Sequence, residues 1–106
     1  MQLNATYKGF PGHWAPIDLK AVGAQQWNIL KGDLPFPLAV IRQSALLHNL
    51  QWMQNFCNER DLDIAPHGKT TMSPELYHLQ LDAGAWGISF ATVFQASMGA
   101  RHGVKR

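Results

Sequence analysis

Cysteine is almost missing from this chain. Cys57 is the only one, which excludes any disulfide within the chain and fits a reducing, cytoplasmic setting better than a secreted one. Long apolar runs are missing too. No window reaches the roughly 18 uninterrupted apolar residues a spanning helix needs, and residues 1–10 lack the continuous hydrophobic stretch of a signal peptide. No membrane is therefore expected as a partner. Charge is sparse, at 15% of residues, with 9 cationic and 7 acidic side chains. Arg101, Lys105 and Arg106 crowd three of those cations into the C-terminal end. No basic face runs through the body of the chain, so nucleic acid is not an expected partner either. The five histidines have no metal-ligand spacing, so no metal site is expected within the chain. Asn4-Ala5-Thr6 spells a glycosylation sequon, which without secretion is a chance match.

What is present is apolar and punctuated. An apolar share of 46% over 106 residues describes one small globular domain. Residues 1–37 are broken by Gly9, Pro11, Gly12, Pro16, Gly32, Pro35 and Pro37, and read as an N-terminal extension lying against a larger body. A short helix is expected within residues 18–30, although the apolar spacing there is imperfect. From Leu38 the pattern sharpens. Leu38-Ala39-Val40-Ile41 reads as a short strand after Pro37. A helix over residues 44–60 follows, because Leu46, Leu47, Leu50, Met53, Phe56 and Cys57 recur at three- and four-residue steps.

The next helix has clear limits. Ser73 is its N-cap, Pro74 takes the first helical position, and Glu75 complements the dipole. It reads through Leu76, Leu79 and Leu81 to Ala83 and stops at Gly84. Gly87-Ile88-Ser89-Phe90-Ala91 is a further strand, Thr92 caps a helix over residues 93–102, Gly103 ends it, and Val104 opens another strand. Strand and helix thus alternate three times, which predicts an α/β fold with a parallel sheet.

The most informative run is Leu62-Asp63-Ile64-Ala65-Pro66-His67-Gly68-Lys69-Thr70-Thr71. Read as a strand, it points Ala65, His67 and Lys69 to one face. A parallel α/β fold puts its chemistry at the carboxyl ends of its strands. A primary amine there, beside an imidazole, suits carbonyl chemistry through a Schiff base. Taken alone, a lysine after a strand is usually a solvated surface residue. Its surroundings decide the matter.

Residues 33–106 resemble the start of a known family. Pro37-Leu38-Ala39-Val40-Ile41, Ala45-Leu46, Asn49-Leu50, Pro66-His67-Gly68-Lys69-Thr70, Ser73-Pro74-Glu75, Gln80-Leu81-Asp82-Ala83-Gly84-Ala85, Ala91-Thr92-Val93 and Gly103-Val104 together carry the likeness. They are similar to the D-threonine aldolase and D-serine dehydratase group of pyridoxal-phosphate enzymes, which share the alanine racemase barrel (fold type III). Lys69-Thr70-Thr71-Met72, where aldolases and dehydratases usually read Lys-Thr-His-Lys, and Ala85-Trp86-Gly87 look more like the amino-acid deaminase, or D-serine deaminase-like, branch.

The resemblance implies the N-terminal part of a (β/α)8 TIM barrel, cut after two to three βα units, with residues 1–37 as extension and 38–106 as partial cofactor-binding barrel. It implies pyridoxal 5'-phosphate as cofactor, bound through a Schiff base on Lys69, with His67 lining the pocket and Thr92, otherwise explained as an N-cap, touching the cofactor. The substrate is expected to be a D-amino acid, deaminated or dehydrated to a keto acid and ammonia. D-threonine aldolase-type retro-aldol cleavage is the alternative. A non-catalytic cofactor carrier and a decayed interaction module complete the range. The phosphate-binding groups and the ligands of a divalent metal are expected in later segments of the family's fold, and a homodimer is expected at full length. By itself the stretch is expected to be inactive, with exposed apolar strand edges.

Overall fold

The computed structural model describes all 106 residues, which divide into two units, Met1–Ile41 and Arg42–Arg106. In the first unit, strand β1 (Gln2–Leu3) pairs antiparallel with β2 (Ile17–Asp18). The Asp18 carboxylate accepts from the backbone N–H of Lys20 at 2.9 Å and pairs with the N-terminal amine at 3.4 Å. Those bonds hold its pKa below the usual carboxylate value, the backbone bond first. Trp27 packs edge-on against both Phe10 and Trp14, at centroid distances of 5.7 and 5.3 Å.

Two expectations fail in this unit. Residues 18–30 do not form one helix. They form separate 3₁₀ turns at Leu19–Ala21, Gly23–Gln25 and Ile29–Lys31, because Gly23 and the left-handed Gln26 (φ 54) break the α-helical path. Nor do residues 38–41 form a strand. They find no partner to complete a ladder, and Val40 and Ile41 stay more than half exposed.

The second unit is built from three helices: α1 (Gln43–Asn58), α2 (Pro74–Asp82) and α3 (Val93–Arg101). Their starts follow local chemistry. Ser73 Oγ accepts from Leu76 N and Thr92 Oγ1 accepts from Gln95 N, as the cap residues predict. Their ends share one device. Leu62 N reaches back to Cys57 O, Ala85 N to Gln80 O and Val104 N to Gly99 O, each at 3.0 Å, around a left-handed residue. That residue is Gly84 after α2 and Gly103 after α3, but Asp61 (φ 53) after α1.

Each of these turns returns the chain to an extended segment. His67 and Ser89 form a parallel bridge, through Gly68 N to Ser89 O and Ser89 N to Pro66 O, both 2.9 Å. Trp86 N bonds Ile64 O and Ile88 N bonds Arg106 O at the same distance. The His67–Ser89 bridge is the one piece of the parallel pairing that the βα alternation predicts; the expected strands at residues 87–91 and from Val104 do not form, since their backbone makes single hydrogen bonds and no ladder. A core of Tyr77, Ile88 and Val104, with Leu81 and Phe90 packed against it, lies beneath these segments. Cys57 is buried, as its place on the α1 face predicts. Trp52 on α1 and Val93 and Phe94 on α3 remain exposed.

Candidate functional site

Lys69 lies at the carboxyl end of the first extended segment, but not on its strand. Gly68–Thr70 is a 3₁₀ turn. The strict alternation that would align Ala65, His67 and Lys69 therefore stops at His67. The turn itself brings His67 and Lys69 together: His67 Nδ1 accepts from the Lys69 backbone N–H at 3.3 Å, which caps the turn. Both side chains are exposed. The Lys69 ammonium has no ion-pair or hydrogen-bond partner, since the ion pairs of the chain are Met1–Asp18 and Arg60–Glu59.

Thr92 follows the second extended segment. Because His67 pairs with Ser89 in parallel, Lys69 and Thr92 both lie beyond the carboxyl ends of neighbouring segments. Its hydroxyl is already engaged in capping α3. Ser89 adds a tie between the segments, its Oγ donating to Ala65 O at 3.1 Å.

Gly68 is the anchor of this arrangement. A Cβ there would sit 2.8 Å from Tyr77 Cε1 and 2.9 Å from both Ile88 Cγ2 and Phe90 Cε1, so only glycine fits. The carbonyl of Gly68 accepts from Thr71 N, from Met72 N at 3.0 Å and from the Tyr77 hydroxyl at 2.9 Å. Tyr77 is 2% exposed, and burial raises its pKa above the ordinary phenol value. Reading α2 through Leu76, Leu79 and Leu81 misses Tyr77; Leu79 proves exposed instead. The available signal was the i, i+4 pair Tyr77–Leu81, one helical stripe carrying a phenol that needs a partner.

The chain's other features hold less chemistry. A groove of about 210 Å³ beside α1 and α2 is lined by Leu46, Leu50, Met53, Ile64, Pro66 and Ala83, with amides and no ionisable group. No three His, Cys, Asp or Glu side chains come together in a metal-binding group. No helix is long and apolar enough to cross a membrane. His78 Nε2 lies 2.8 Å from His102 O, and so ties α2 to the end of α3.

No protein-family model and no curated protein matches this chain. Among solved structures it is similar to D-threonine aldolase from Filomicrobium marinum, with a TM-score of 0.65 and 26% sequence identity. That match covers 68% of this chain and 19% of the aldolase, so the chain corresponds to about a fifth of that enzyme's length. What this likeness supports is the superfamily to which the Pro66–Thr70 pattern pointed, the fold-type III enzymes, of which the chain resembles a piece.

Proposed function

We propose that the Gly68–Thr70 turn is the lysine-bearing element of a pyridoxal-phosphate enzyme acting on D-amino acids. The observation that carries the reading is Lys69 itself: an exposed primary amine, free of any carboxylate, at the carboxyl end of a parallel segment. The donor set fits the group, because Lys69 offers an exposed primary amine that no hydrogen bond or ion pair blocks from an aldehyde. Lys69 Nζ would hold the cofactor covalently, His67 would line the pocket beside it, and Thr92 would approach from the neighbouring segment. When bound, the cofactor supplies an electron sink for the substrate's α-carbon. The chain's own contribution is to present the amine from a turn whose first residue, Gly68, is fixed on both sides. The phosphate and any divalent metal would be held by segments outside the matched stretch.

The favoured reaction is deamination, with loss of a β-leaving group, to a keto acid and ammonia. It rests on Lys69-Thr70-Thr71-Met72 and Ala85-Trp86-Gly87. Retro-aldol cleavage is the second reading, favoured by the likeness to a D-threonine aldolase. Binding is tested by the absorbance of pyridoxal phosphate titrated with the chain and with Lys69→Ala; the variant should abolish the bound-cofactor spectrum. An unchanged spectrum would sink the proposal. Product analysis, on a protein of barrel length carrying this stretch, separates the reactions. Keto acid and ammonia from D-serine support deamination, whereas glycine and an aldehyde from D-threonine support the aldolase reading.

A further inference from the structure

We infer that Tyr77 is a positioning residue for Lys69, its hydroxyl fixing the turn that presents the amine. The inference deepens the proposed cofactor role of Lys69 and rests on it. Three observations carry it. First, Gly68, the residue before Lys69, is held from both sides: its N–H by Ser89 O and its carbonyl by Tyr77 Oη, each at 2.9 Å. Second, the phenol reaches that carbonyl from inside the core, where Tyr77 stacks edge-on against Phe90 at 5.5 Å and has little freedom to move. Third, the chain leaves the turn through Met72 at φ 45, a conformation costly for a long side chain. Met72 Sδ lies 3.4 Å from the same hydroxyl, whose one proton goes to the stronger acceptor, the Gly68 carbonyl.

Removing the hydroxyl while keeping the ring should therefore loosen the lysine turn without emptying the core. Tyr77→Phe does this. The readout is pyridoxal phosphate trapped by borohydride at each of the five lysines, resolved by mass spectrometry across a pH series, with Lys8, Lys20, Lys31 and Lys105 as internal references. In the wild-type chain Lys69 should lead. In Tyr77→Phe its lead should fall about fivefold, the equilibrium worth of one hydrogen bond, while the other four lysines are unchanged.

An undiminished lead in a folded Tyr77→Phe chain overturns the inference and leaves the role of Lys69 standing. No lead in the wild-type chain overturns the role of Lys69, and the inference with it. Should Tyr77→Phe lose its helical circular dichroism, the question passes to a chain carrying 3,5-difluorotyrosine, which keeps the ring and hydroxyl but ionises at lower pH. The Lys69 lead should then collapse at a lower pH than in the unlabelled chain, as the donor is lost. An identical pH profile overturns the inference.

Discussion

Gly99 on α3 lies directly against the ring of Phe90: a Cβ built on it would stand 2.5 Å from Phe90 Cζ and 2.7 Å from Cε2. Phe90 in turn contacts Gly68 and stacks on Tyr77, so one ring joins α3, α2 and the lysine turn. The glycine in the middle of a helix is the concession that lets α3 come this close.

Two effects therefore oppose each other in Gly99→Ala. Helix propensity favours alanine by up to about 1 kcal/mol, and overpacking against a ring that Tyr77 and Gly68 hold in place costs about 1–3 kcal/mol. The ring contact should win, for a net loss of up to about 2 kcal/mol. Chemical denaturation decides; a stabilised variant would show that the ring moves aside freely.

Asp61→Gly should act in the opposite sense. Asp61 holds the left-handed position at the end of α1 that glycine holds after α2 and α3. Its side chain makes no hydrogen bond or ion pair that the substitution would remove. Relief of the left-handed penalty, offset by the greater freedom of glycine in the unfolded chain, leaves a gain of roughly 0.5–1 kcal/mol. Thermal melting checks it, and a lowered midpoint would contradict it.

Thr92 caps α3 through Gln95 N at 3.2 Å. Thr92→Ala should cost about 1 kcal/mol of stability, and Thr92→Ser should stay within about half a kcal/mol of the original, since serine caps at least as well. Equal losses in both variants would mean that the methyl group, not the hydroxyl, matters.

Acid should weaken α2 through Glu75. Its carboxylate accepts from its own backbone N–H and from Ser73 Oγ at 2.9 Å, and these bonds hold its pKa below the ordinary 4.5. A carboxylate depressed in the folded state adds stability that is complete above its unfolded value and is lost as pH falls through the folded one. The wild-type chain should therefore lose stability more steeply than Glu75→Gln as pH drops below about 4.5. Parallel denaturation curves at several pH values test this, and equal slopes would contradict it.

The features legible in the sequence are those decided within a few residues. Ser73, Pro74 and Thr92 mark helix starts and Gly84 and Gly103 mark ends, because each acts on its own turn of backbone. The turn at Asp61–Asp63 is legible in the polar sequence after α1, but its left-handed residue is less so, since aspartate adopts that conformation less readily than glycine. Features set by distant partners were harder to read. The apolar residues 38–41 have strand composition, but strands need a neighbour and none pairs with them. The Lys69 motif marks a candidate site in the sequence, while the 3₁₀ turn that carries it, and the phenol beneath that turn, depend on Gly68 meeting Tyr77 across the fold.

The most direct test of the whole account is the distribution of pyridoxal phosphate over the five lysines of the folded chain after borohydride reduction, mapped by peptide mass spectrometry. Labelling concentrated on Lys69, and lost when the chain is unfolded in denaturant before reaction, is the predicted result. Labelling spread evenly over Lys8, Lys20, Lys31, Lys69 and Lys105, or unaffected by unfolding, would contradict it.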